Sequence, residues 1–203
     1  MAATKTEKQA KAQRLKDAFQ SMSDERFKAL EKEIGDITSE CNECLQGGAD
    51  DAANLYGTTT YGGYCGQYGC YGTVFELSPS ASGWTETVLC SFTDGNDGST
   101  PVAGLVFDTA GNLYGTTSGS YSSAGSVFEL SPSSSGWVES TLYTFSGQGD
   151  GGGPPCTLVF DAAGNLYGTT SYGGVYNRGG TVFELSPSAG HWTESVLHSF
   201  RWK

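Results

Sequence analysis

Gly-Leu-Val-Phe-Asp-Thr-Ala-Gly-Asn-Leu-Tyr-Gly-Thr-Thr, residues 104–117, decides the fold, because the chain writes it more than once. Its second half, Asn-Leu-Tyr-Gly-Thr-Thr, stands at 54–59, 112–117 and 165–170. Val-Phe-Glu-Leu-Ser-Pro stands at 74–79, 127–132 and 182–187; Trp84, Trp137 and Trp192 follow it, then Phe92, Phe145 and Phe200. Val74, Val127 and Val182 open these copies, so the period is 53 and then 55 residues. A fixed period of this length marks a repeat architecture, in which each unit buries its apolar face only against its neighbours.

Within the middle unit four short strands are predicted, at 104–108, 112–117, 126–130 and 137–145. They are rich in Val, Leu, Phe, Tyr, Thr and Trp, which suit a pleated surface. Turn chemistry separates them: Asp108 to Asn112, a Gly/Ser loop at 118–125, and Ser-Pro-Ser-Ser-Ser-Gly at 131–136. Asp108 and Asp161 stand where a carboxylate can accept turn N–H groups, and Gly111 and Gly164 suit a positive φ. The fourth strand alternates, with Trp137, Glu139, Thr141, Tyr143 and Phe145 on one face and Val138, Ser140, Leu142 and Thr144 on the other. Four-stranded antiparallel units in tandem point to β-propeller blades rather than a linear β-solenoid. The expected fold is therefore mainly β: about three blades, at about 51–100, 101–153 and 154–203, behind an α-helical segment at 1–46. The first blade is truncated, since no counterpart of Leu105-Val-Phe-Asp108 precedes Asn54, and eleven strands are expected.

The stretches at 104–117, Gly-Thr-Val-Phe-Glu-Leu-Ser-Pro at 180–187 and Gly-Trp-Thr-Glu-Thr-Val-Leu-Cys-Ser-Phe at 83–92 resemble the GloVer (Gloeo_Verruco) tandem repeat family over about 51–200. The Asp-x-x-Gly-Asn-Leu-Tyr turn is also similar to NHL-type blades. The GloVer resemblance implies a propeller-like bacterial protein, secreted or surface-anchored, with no defined activity and no catalytic residue to carry over. Such proteins have more repeats, a signal sequence and a C-terminal anchor; here there are fewer than three full units, no apolar leader, and an end at Arg201-Trp202-Lys203. Three blades fall below the four to eight of a closed ring. Assembly from several chains, a dimer giving six blades, is the simplest closed solution, with a fragment or an open arc as alternatives.

The composition is split in the same place. The 203 residues carry a net charge of −11, but residues 1–46 hold 8 of the 11 basic side chains and one of the 30 glycines, for a net −1. Residues 47–203 carry −10 and 23 of the 25 aromatics. An acidic chain repels nucleic acid and anionic membrane, and no apolar run is long enough to span a bilayer. The first segment is rich in helix formers, and Phe27, Leu30, Ile34, Ile37, Cys41 and Cys44 recur at heptad spacing. This stripe reads either as an inter-chain seam or as an amphipathic face packed on a partner or on the repeats.

Of the six cysteines, Cys65 and Cys70 read best as a local disulfide. Cys41-Asn-Glu-Cys44 with Cys65 and Cys70 also has the outline of a four-thiolate zinc site, but the second and third units lack the loop cysteines. Cys90 stands where other units have Tyr143 and His198. Glu76, Glu129 and Glu184 recur once per unit, as do Glu86, Glu139 and Glu194; catalysis needs an asymmetric pair of carboxyls with pKa values pushed apart. No hydrolase, zinc-protease or phosphate-loop motif is present, and Asp94-Gly-Asn-Asp-Gly98 reads as a polar turn rather than a calcium loop. No enzyme activity, metal or cofactor is expected. The first functional expectation is a non-catalytic structural or protein-binding scaffold, homo-oligomeric or part of a larger assembly. The second is a lectin-like module with Trp84, Trp137, Trp192, Tyr56, Tyr114 and Tyr167 as aromatic platforms for sugars; the competing reading has these rings filling the space between blades.

Overall fold

The structure, a computed structural model, describes residues 50, 54–66, 69–81, 83–120, 123–176 and 178–201. The expected helical segment and its stripe, Phe27, Leu30, Ile34, Ile37, Cys41 and Cys44, lie outside them. The described residues are mainly β and hold four antiparallel sheets. The first sheet has the order β1–β4–β5, from β1 (Leu55–Thr59), β4 (Thr73–Ser80) and β5 (Gly83–Ser91). The second is β6 (Val106–Phe107), β7 (Leu113–Thr117), β8 (Ser126–Ser133) and β9 (Gly136–Thr144). The third is β10 (Val159–Phe160), β11 (Leu166–Thr169), β12 (Thr181–Ser188) and β13 (His191–Ser199). Each is a meander in chain order. A small hairpin of β2 (Cys65–Gly66) and β3 (Gly69–Cys70) makes the fourth sheet, and it brings the described strands to thirteen rather than eleven.

Two local expectations are corrected. The Ser-Pro-Ser stretch continues the third strand of each unit instead of ending it: Pro132 pairs with Trp137 and Ser133 with Gly136, leaving a two-residue turn. Proline is tolerated because β7 reaches only to Leu130, so no ladder on that side needs its missing N–H. The alternation of the fourth strand also breaks. Phe128 pairs with Thr141 but Val127 pairs with Tyr143, so Leu142 is an extra, bulged residue. The same shift leaves Leu89 and Leu197 extra in the other units. One inserted residue reverses the faces of a period-two strand. Trp137 therefore packs toward the first sheet, while Tyr143 and Phe145 pack toward the third.

That reversal gives every sheet two apolar faces and makes the core a pair of equivalent layers. Between the first and second sheets, Tyr56, Val74 and Phe92 meet Leu105, Leu113, Phe128 and Leu130. Between the second and third, Tyr114, Val127 and Phe145 meet Leu158, Leu166, Phe183 and Leu185. The rings cross edge to face, as their quadrupoles favour: Phe92 lies 5.1 Å from Phe128, and Phe145 lies 5.0 Å from Phe183.

The turn between the first two strands of each unit is closed by one carboxylate. Asp108 Oδ1 accepts the N–H groups of Ala110 (2.8 Å) and Asn112 (2.9 Å); Oδ2 accepts Asn112 Nδ2 (2.8 Å) and the Tyr114 hydroxyl (3.2 Å). Asp161 repeats the pattern with Ala163, Asn165 and Tyr167. So does Asp50, which accepts from Asn54 N (3.0 Å), Asn54 Nδ2 (2.9 Å) and the Tyr56 hydroxyl (3.0 Å). The first unit is thus less truncated than its sequence indicates: Asp50 is the counterpart of Asp108. Burial opposes ionisation of Asp108, but the donors of Asn112, Ala110 and Tyr114 outweigh it and hold the carboxyl below its usual range. Gly111, at φ 91°, supplies the left-handed residue that the turn requires.

Candidate functional site

The connections β1–β4, β5–β6, β7–β8 and β11–β12 line a cavity of about 780 Å³ that is open to solvent. Its lining includes the aromatic rings of Tyr61, Tyr71 and Tyr172 and the polar groups of Asp94, Ser99 and Thr100. The loops are tied by main-chain bonds: Thr100 N donates to Tyr71 O (2.8 Å), Ser118 N to Thr100 O (3.0 Å) and Gly119 N to Ser99 O (3.0 Å). Ser99 Oγ donates to Asp94 Oδ1 at 2.9 Å, and the Thr100 hydroxyl donates to Gly119 O.

The cavity comes from departures from the repeat. In the next connection Gly147, Gly152 and Gly153 stand where this one has Asp94, Ser99 and Thr100. There the Tyr172 ring lies against the two glycines, so that a Cβ on Gly152 would fall 2.6 Å from it. Gly119 occupies the position equivalent to Tyr172, and no ring fills the corresponding space. Asp94 (φ 62°) and Thr100 (φ 55°) also keep the left-handed backbone that Gly147 and Gly153 adopt freely. For a β-branched threonine this conformation is strained by about 1–3 kcal/mol, and such strain gathers at functional positions.

The six aromatic residues proposed as sugar platforms do not line this cavity. Tyr56 and Tyr114 are buried between sheets; Tyr56 lies 6.2 Å from Trp137, and Tyr114 lies 6.4 Å from Trp192. Trp84 and Tyr167 are half-buried, at the equivalent positions of the first and third sheets. Burial, with a smaller contribution from Asp50 and Glu76, pushes the Tyr56 hydroxyl up to about 12. Cys65 and Cys70 are joined by a disulfide, which uses the two thiolates of that zinc half-site. Cys41 and Cys44 lie outside the described residues. Burial, then Glu139 and Asp97, pushes the Cys90 thiol up to about 12, so at neutral pH it is no thiolate nucleophile. Among the described residues no cluster of His, Cys, Asp and Glu is arranged to hold a metal ion. In the Asp94–Gly98 turn, Asp97 accepts Thr93 N (2.7 Å), Thr93 Oγ1 (2.9 Å) and Gly95 N (3.0 Å).

One pair of carboxyls is pushed apart, and the repeat had hidden it. Asp150 accepts Ser146 N (2.7 Å), the Ser146 hydroxyl and the Tyr143 hydroxyl (3.1 Å). Burial opposes its ionisation, but these donors hold it below the usual range. Glu194 is pushed up to about 7, by burial first and by the Asp150 charge second. Its Oε1 is buried without a hydrogen-bond partner. The equivalent Glu139 has Thr141 Oγ1 at 3.1 Å, whereas the third unit has Val196 at that position. Because the folded-state pKa is raised, stability is expected to fall as pH rises from about 4.5 to about 7 and then to level off. Glu194→Gln removes that slope. Urea unfolding of the two proteins should agree near pH 4 and differ by about 1 kcal/mol in favour of the variant at pH 8, solvent screening limiting the gain.

Comparison with curated proteins finds no match. The model of the Gloeobacter/Verrucomicrobia repeat matches residues 27–203, reaching further toward the N-terminus than the quoted motifs. That match spans most of the chain, including all three large sheets with their repeated turns and aromatic layers, and the chain belongs to the Gloeobacter/Verrucomicrobia repeat family.

Proposed function

We propose that this chain is a non-catalytic repeat protein, built of propeller-type blades and assembled from several chains into a structural or protein-binding scaffold. The observation that carries this reading is the use to which the repeated residues are put. Four of the six repeated rings that could serve a ligand pack between sheets, as the Tyr56–Trp137 and Tyr114–Trp192 pairs, and Trp84 and Tyr167 hold the equivalent positions on the first and third sheets. Each repeated carboxylate of the third strand has the same local partner: Glu76, Glu129 and Glu184 accept the hydroxyls of Ser78, Ser131 and Ser186 at 2.9, 2.8 and 3.0 Å. Selection that repeats a side chain together with its structural partner is keeping a fold, and the blade meander is the fold that stacks such units.

A lectin-like module is the second reading, and the cavity between the loops favours it over the repeated aromatics. Tyrosine rings beside serine, threonine and aspartate offer a sugar both an apolar face and hydroxyl partners, in a volume suited to a small ligand. A glycan array run beside affinity capture with defined surface proteins separates the two. Protein capture with no glycan signal is the expected result. A glycan signal abolished by Tyr71→Ala or Ser99→Ala would replace the scaffold reading with the lectin one. Turnover in a hydrolase screen, lost in Glu194→Gln, would overturn both.

A further inference from the structure

The two apolar layers inside the chain are one interface used twice. On its leading side the second sheet presents Val106, Tyr114, Val127, Leu142, Tyr143 and Phe145, and the third sheet covers them: Phe145 is 3 % exposed and Val127 is 0 % exposed. The third sheet presents the same positions as Val159, Tyr167, Val182, Leu197, His198 and Phe200. Its strands β10 to β13 hold the same register and carry the same bulge as those of the second sheet. Here the face is open: Val159 is 63 %, Leu197 52 % and Phe200 46 % exposed.

The opposite side of the repeat is less covered at the first sheet, where Phe75 is 7 % exposed against 0 % for its counterparts Phe128 and Phe183. Leu113 and Leu130, like Leu166 and Leu185, are fully buried against the preceding sheet. Their counterparts Leu55 and Leu77 are only half-buried, while Trp84, Trp137 and Trp192 are half-buried alike. Gly47 and Ala49 stand in sequence where the second unit has Leu105 and Phe107.

We infer that the open face of the third sheet is covered by the first sheet of a second copy of this chain. Copies then continue head to tail across the interface that each chain already builds twice within itself. The inference rests on the assembly reading above and names its contact surfaces. Phe200 meets Phe75 of the next copy as Phe145 meets Phe183, and Tyr167 meets Trp84 as Tyr114 meets Trp192. Such a contact joins unlike surfaces, so it either closes a ring or runs on as a filament. Two copies supply six sheets, within the range that closes.

Sedimentation equilibrium of the full chain, with and without Leu197→Glu, is the test, and Val138→Glu is the control. Val138 is 49 % exposed and belongs to neither layer. The wild type and the control are expected at twice the 21.3 kDa chain mass or a higher multiple. Leu197→Glu should weaken association about tenfold or more while its far-ultraviolet circular dichroism stays unchanged. Benzoylphenylalanine placed at position 197 gives a second measurement, in an otherwise unchanged chain: its photoadducts should map to residues 73–91 of another copy. A wild-type monomer overturns the inference together with the assembly reading. An oligomer that withstands Leu197→Glu, or photoadducts in residues 1–49, overturns the head-to-tail contact alone and leaves assembly standing through the N-terminal segment.

Discussion

Replacing Phe128 with alanine is expected to lower the free energy of unfolding by about 3–5 kcal/mol, the loss typical of a buried phenylalanine. Phe128 is fully buried, sits edge-on to Phe92 at 5.1 Å and lies beside Leu105 and Gly115 in the layer that joins the first and second sheets. Both sides of the resulting hole are strands held in ladders, so the walls cannot collapse to fill it. Total stabilities of domains this size are about 5–15 kcal/mol, so the variant should stand near the edge of folding at 37 °C. Phe183→Ala, in the equivalent layer, should behave alike. Urea unfolding followed by circular dichroism and by tryptophan fluorescence checks both. In a stacked repeat, losing one layer also weakens the coupling between units, so the two probes should separate in Phe128→Ala where they coincide in the wild type. A loss below about 1 kcal/mol would mean that the layer is not packed as the structure has it.

The repeat was legible because its period is carried by long apolar words, and any fold that honours them must give three like sheets. What the sequence hid lies in single residues. Leu142 reads as one more member of an alternating strand; only the pairing of Val127 with Tyr143 reveals it as a bulge, and with it the two-faced sheet. Asp50 is inconspicuous in the sequence because Gly47-Gly-Ala49 replaces the apolar residues that announce the turn elsewhere; its mark is the Asp-x-x-x-Asn spacing to Asn54. The cavity is made by departures from the repeat, Gly119 for Tyr172 and Ser99-Thr100 for Gly152-Gly153, which a search for likeness passes over. Glu194 is written identically to Glu139 and differs through its neighbour, Val196 for Thr141. Fold follows from what recurs in this chain. Candidate chemistry follows from what fails to recur.

Gly115 is the second position at which a small change should have a large effect, and its reason is space rather than backbone conformation. A Cβ there would lie 2.5 Å from Phe128 Cζ and 2.9 Å from Leu105 Cδ2. The Phe128 ring is fully buried and packed edge-on against Phe92, so it has little room to retreat. Gly168 meets Phe183 and Leu158 in the same way, which is why the Tyr-Gly-Thr core of the motif is kept in the third unit as well. Gly115→Ala is expected to destabilise by about 1–3 kcal/mol, the range for overpacking a filled core. Phe128→Leu shortens the ring that the new methyl strikes. In that background the further loss from Gly115→Ala should shrink by about 1 kcal/mol or more, a coupling typical of residues in direct contact. The four proteins of this double-mutant cycle, compared by urea unfolding at one pH, decide the matter. If the full loss persists with leucine at 128, the glycine is held by its backbone or by Leu105, and the ring of Phe128 is not what excludes a side chain.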